Sequence, residues 1–171
     1  MKQLLQQYSA YNLWANKIIT EKINPLPAAI LHNEMKSSFG TIHKTVIHLM
    51  DVESIWWQRF KLQEHVEWPG KIFEDDFENL SKELLALSKQ WNDWVSETNE
   101  LQLAHVFGYY NSKKEFFKQP VYEMLLHLFN HQTFHRGQLI TMMRQNGIEK
   151  LPATDFIVFS RNKPASLLKG R

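Results

Sequence analysis

Apolar residues recur at helical spacing along most of the chain. From Met1 to about Ile23, Leu4, Leu5, Tyr8, Tyr11, Leu13, Trp14, Ile18 and Ile19 fall at mixed i, i+3 and i+4 intervals, as in a packed helix. Asn24-Pro25-Leu26-Pro27 stops that run, because proline lacks the N–H a helix needs. A second helix is predicted from Gly40 or Thr41 to about Gln63, with Ile42, Val46, Leu49, Val52, Ile55, Trp56 and Phe60 as its apolar stripe. Trp68-Pro69-Gly70 breaks the pattern. A third helix is predicted from Phe77 to about Thr98, with Leu80, Leu84, Leu87, Trp91, Trp94 and Val95 on one side. The stretch AHVFGYYNSKKEFFKQP has aromatic flanks around a polar centre and reads as a short β-hairpin or ordered loop. Pro120 suits the first turn of a fourth helix, which runs to Gln145 or Asn146 and ends at Gly147. IEKLPATDFIVFSRN is expected to form an extra turn or short helix, and RNKPASLLKGR a mildly basic tail. No repeat, low-complexity tract or linker interrupts the chain. The expected fold class is all-α: a four-helix bundle forming one domain over 1–171. The link between the second and third helices is longer than a bundle turn, so a crossover fits the pattern, but spacing alone leaves the topology open.

Composition narrows the function. The 171 residues are 43% apolar and 13% aromatic, with a formal net charge of +2. That is a globular composition, and no Lys/Arg run supplies a nucleic-acid footprint. The absence of cysteine excludes disulfides, a cysteine nucleophile and a cysteine-based zinc knuckle, and it suits a cytoplasmic protein. No apolar window approaches the length of a membrane span, and the N-terminus lacks the apolar core of a secretory signal. The expectation is a cytoplasmic protein with a small-molecule substrate and neither nucleic acid nor membrane as partner.

The chemistry lies in the histidines. LLHLFNHQTFHRGQL, from Leu125 to Leu139, holds His127, His131 and His135, three of the eight in the chain. Residues four apart on a helix differ by about 40° and stack one turn apart. His131 and His135 can therefore turn their imidazoles to one ion. His127 lies about 12 Å of rise from His135, too far for all three to bind directly on an undistorted helix. A catalytic zinc site usually takes three protein ligands, so a third must come from elsewhere. His48, among Val46, Ile47 and Leu49, is the best candidate, because a polar ring in an apolar setting needs a partner. His43 points about 140° away from His48. His32, His65 and His105 fall in predicted loops or helix ends and are expected to be solvated. A histidine pair on a solvated face, or core histidines bonded to carbonyls, explains the spacing equally well, and spacing leaves both readings open.

At this point the sequence resembles the DinB/YfiT-like family of metal-dependent enzymes (not the translesion polymerase that shares the first name). TIHKTVIHLMDVESIWWQRF resembles the family's second helix, and LLHLFNHQTFHRGQL its fourth-helix signature of His, three residues, then His-Arg-Gly-Gln. YNLWANK resembles its first helix and LPATDFIVF its C-terminal Asp motif. The resemblance implies a four-helix bundle with a crossover between helices two and three, often dimeric. It implies a metal triad of His48, His131 and His135 that holds zinc or nickel. Many members have histidine where this chain has Phe134, which puts the pocket wall in question but no ligand.

The resemblance also brings in a subgroup that uses low-molecular-weight thiols such as bacillithiol or mycothiol, so thiol S-transfer is one expected activity. Hydrolysis by activated water is the other, and a non-catalytic, stress-related metal-binding protein is the third reading. Candidate catalytic groups are Glu53, Glu123, His127 and Arg136. His127 is expected beside the ligands, orienting one or lining the pocket, or else as an ordinary core or solvated histidine. Asp51 and Glu53 can accept an imidazole N–H, a solvated face being the commoner alternative. Arg136 is expected to pair with a carboxylate or tie helix ends together. Trp14, Trp56 and Trp57 are expected in the core, and Asn16 as a brace within the bundle.

Overall fold

The computed structural model describes residues 1–162. Its long helices are α1 (Lys2–Ile23), α3 (Ile42–Phe60), α4 (Phe77–Glu97) and α6 (Val121–Gln145). Short helices α2 (Ala28–Leu31), α5 (Glu100–Ala104) and α7 (Phe156–Arg161) join or flank them. A 3-10 turn spans Pro69–Phe73, and β1 (Val106–Tyr110) pairs antiparallel with β2 (Phe116–Pro120). The hairpin alternative for the aromatic stretch is therefore the one adopted. The basic tail expected from residue 161 onward lies almost wholly outside the described residues.

Local chemistry sets the helix ends. The Thr41 hydroxyl accepts the Lys44 N–H at the start of α3 (3.1 Å), and the Asp76 carboxylate accepts the Asn79 N–H at the start of α4 (3.0 Å). Asn99 and Gln102 form a capping box on α5, a reciprocal pair that satisfies two otherwise orphaned donors. Gly147 ends α6 with φ +79°, a left-handed position that glycine adopts without a Cβ clash. Two predicted ends shift. Pro120 caps α6 from outside and closes β2, and α3 stops at Phe60, where Leu62 turns left-handed at φ 54°.

Side-chain pairs fix the topology. His43 meets Phe77 and Ser88 meets Glu53, so α3 and α4 run parallel. The segment between them must return along the bundle, which makes it the expected crossover. Ser9 bonds Asn92 while Ser81 bonds Asn24, so α1 is antiparallel to α4. Thr45 meets Met142 while Trp56 meets His127, so α6 is antiparallel to α3. The core has two apolar clusters. One gathers around Ile19, Ile42, Val46, Leu49, Leu84 and Leu139. The other gathers around Leu5, Trp56, Trp91, Val95, Leu125 and Phe129. Asn12, Asn16, Glu53, Ser88, Gln132 and Arg136 are buried and hydrogen-bonded to one another or to backbone at the middle of the bundle.

Candidate metal centre

Because α3 and α6 pack antiparallel, one histidine of α3 faces two of α6. The Nε2 atoms of His48 and His135 each lie 3.2 Å from Nε2 of His131. The three ligand atoms all fall within 4.8 Å of one another. Nitrogens bound to one ion at zinc distances stand about 3.0–3.4 Å apart for bond angles between octahedral and tetrahedral. The spacing of the donors therefore fits a single divalent ion. Among the described residues, no Cys, Asp, Glu or fourth His joins this group.

The protonation states suit metal binding. Burial, then the neighbouring His135 and His131, push His48 down to about 3. Burial and the same crowding by His135 and His127 take His131 to about 4, and burial also lowers His135. All three rings are neutral at pH 7, so each has a lone pair to offer. The Nδ1–H of His135 donates to Gln138 Oε1 (2.8 Å), and the Gln138 amide donates in turn to Ser38 (2.9 Å). A neutral ring protonated at Nδ1 keeps Nε2 bare for a cation. Phe39 stacks on His48 at a centroid distance of 4.0 Å, and Phe134 meets His135 edge to face at 4.9 Å. Phe134, the departure from the family pattern, is 61% exposed. It stands outside the donor set and forms part of the wall.

Residues 1–164 match the model of the DinB family. The chain belongs to the DinB family. It is 29% identical over 153 residues to Protein DinB of Bacillus subtilis (strain 168), covering 85% of this chain and 87% of the relative. The solved structure of a DinB-like protein from Bacillus cereus ATCC 10987 superposes with a TM-score of 0.62. That match covers 81% of this chain and 89% of the other, at 18% identity, and it speaks for the DinB fold alone.

The other candidate residues of this DinB-family chain separate once placed. Asp51 and Glu53 do not face solvent, and neither accepts an imidazole N–H from His48. Asp51 accepts the Gly70 N–H (2.7 Å). Glu53 is fully buried and accepts from Asn12, Asn16 and Ser88. Burial, only partly offset by those bonds and by Arg136, raises its carboxyl to about 7. Arg136 follows His135 in sequence but points the other way, donating to Asn12, Asn16 and Thr133. It ties α6 to the middle of α1 rather than joining helix ends, and reaches Glu53 only through the asparagines. Glu123 is exposed and accepts the Tyr122 hydroxyl. His127 continues the ligand row: its ring lies 5.8 Å from that of His131 and 5.4 Å from Trp56. His32, His65 and His105 are exposed, as expected, and Asn16 is the expected brace. Trp56 is buried, whereas Trp14 and Trp57 are only partly so. Sequence reasoning missed Gln138, Ser38 and Phe39. Gln138 stands one turn from His135 and was legible as a possible partner, but the other two carry no local signal.

Proposed function

We propose that this protein is a metal-dependent enzyme that binds zinc or nickel through His48, His131 and His135 and joins a low-molecular-weight thiol, intact and through its sulfur, to a small-molecule substrate. The observation that carries the reading is the convergence of three neutral imidazoles, His48 and His135 each with Nε2 3.2 Å from that of His131 and all three ligand atoms within 4.8 Å of one another, with no fourth protein ligand among the described residues. A divalent ion with three neutral ligands keeps its charge uncompensated and so favours the anion of a bound thiol or water near neutral pH. The chain's own residues supply the rest. Gln138 orients His135, Phe39 and Phe134 wall the site, and His127 stands one turn away to accept or return a proton. Hydrolysis uses the same features and is separated from S-transfer by substrate alone. The reading includes a cytoplasmic homodimer, and light scattering tests the assembly.

The first experiment is elemental analysis of untagged protein purified without chelator, alongside His48→Ala and His135→Ala. About one equivalent of zinc or nickel, absent from both variants, is the expected result. Wild-type protein that takes up no metal even after reconstitution overturns the proposal. With metal established, thiol acceptors and esters distinguish transferase from hydrolase. An inert ion with no exchangeable position marks a structural site instead.

A further inference from the structure

The face of α3 that carries His48 continues through Val52 and Trp56 to Arg59. Eleven positions bring a helix back to within about 20° of the same direction, after about 16 Å of rise. On the antiparallel α6 the row His135, His131, His127 runs alongside, and His127 meets Trp56 at 5.4 Å. Helical side chains lean toward the N-terminus of their helix. Arg59 does so, with its guanidinium carbon 5.0 Å from the Trp56 ring centre. The charge therefore stands near the level of Trp56, two turns or about 12 Å along the helix from His48.

That guanidinium is unusually idle. It is half-buried, and its Nε is shut off from solvent with no hydrogen-bond partner. Among the described residues, its side chain makes no hydrogen bond, and no carboxylate lies within 4.0 Å of it. Tyr109 holds its other flank, with the ring centre 5.6 Å away. Glu64 lines the same cavity of about 310 Å³ without reaching ion-pair distance, and Glu123 is engaged with Tyr122. Two aromatic rings thus hold a permanent positive charge in place and leave its fork of N–H donors unused. Such a fork matches a carboxylate in shape and charge, and a partly desolvated arginine is left costly without one.

We infer that Arg59 anchors a carboxylate of the ligand, and that the strip from the three-histidine cluster past His127 and Trp56 to Arg59 binds an elongated molecule with a metal-seeking group at one end and this carboxylate at the other. The inference rests on the metal reading above for the first end only. Arg59 is a binding residue here and takes no part in bond making.

The test uses cobalt-loaded protein and two probes of equal length, mercaptooctanoate and mercaptooctanol, each able to span about two helical turns. The sulfur-to-cobalt charge-transfer band reports thiol binding. Wild type is expected to bind the carboxylate about tenfold more tightly than the alcohol, as one charge-assisted pair provides. R59Q is expected to bind both alike, at the wild-type affinity for the alcohol. R59K should keep part of the preference, because it retains charge but not the fork. Equal affinities in wild type, or a preference that survives in R59Q, overturn the inference. Thermal melts confirm that each variant is folded, and R59K stands in should R59Q not fold. If cobalt does not bind, the metal reading fails on its own. Octanoate added to metal-free protein then decides the anion site through the NMR signal of the Arg59 side-chain N–H: a shift supports it, and none overturns it.

Discussion

Gln138 is the residue that prepares His135 to be a metal ligand in the proposed site rather than an ordinary buried histidine. Its carbonyl oxygen holds the Nδ1–H at 2.8 Å, and its amide is anchored on Ser38. Removing such a partner typically lowers metal affinity 10- to 100-fold. Gln138→Leu is expected to show a loss in that range in competition with a chromogenic chelator, while its melting temperature in chelator changes little. Gln138 is partly exposed and Ser38 lies in a surface segment, so little of the core depends on them. The Gln138 partner was half-legible in the sequence, since i, i+3 residues meet on a helix. Ser38 was not, because nothing local says that the loop before α3 returns over α6.

Each element around the histidine cluster is held at an identifiable point. The only side-chain cap of α3 is Thr41, about two turns before His48 and four before Trp56. Thr41→Ala is expected to destabilise the fold by about 1 kcal/mol, read as a lower urea midpoint with an unchanged slope. The crossover has a tighter constraint. A Cβ at Gly70 would lie 2.4 Å from Ile47 Cγ2 and 2.7 Å from an Asp51 carboxylate oxygen. Gly70→Ala must therefore displace either the 3-10 turn or the Ile47 and Asp51 side chains against it, and a loss of about 1–3 kcal/mol is expected in the same titration. The break at Trp68-Pro69-Gly70 was readable from residue types. That the glycine docks on α3, with its N–H bonded to Asp51, was not readable, because close approach leaves no trace in the local pattern.

At the scale of the whole molecule, one buried carboxyl joins three helices. Glu53 of α3 accepts from Asn12 and Asn16 of α1 and from Ser88 of α4, and its backbone carbonyl accepts the Trp91 indole N–H. Arg136 of α6 completes the layer through the asparagines. In the folded state the Glu53 carboxyl titrates at about 7, raised from 4.5. The native protein thus keeps this proton through a range in which the unfolded chain has lost it. Its contribution to stability is fully present below about pH 4.5 and is lost as pH rises to about 7. His48 and His131 act in the opposite sense. Their lowered values give stability that is present above about 6.5 and lost on acidification toward 4 and then 3. Subtracting Glu53→Gln from wild type isolates the carboxyl. The stability difference is expected to shift against wild type by on the order of 1–3 kcal/mol between pH 4.5 and 7, then level off. A difference that does not vary with pH refutes the raised titration.

The sequence by itself determined the helices and most of their ends, because periodicity and capping act within a turn or two of chain. It also held the donor pair His131 and His135, since their meeting needs only one helix. His48 could be nominated as an orphan polar ring in an apolar stripe, but its partners were a matter of topology. Tertiary structure alone decided that α3 and α6 lie side by side and antiparallel, which brings three Nε2 atoms to one point. It also turned Glu53 and Arg136 away from that point into a buried layer, although each follows a histidine of the cluster closely in sequence. Their direction follows from rotation about the helix axis: five residues carry Glu53 about 140° round from His48, and one carries Arg136 about 100° from His135. Which of those directions meets solvent, core or the histidine cluster is set by the helices packed against them.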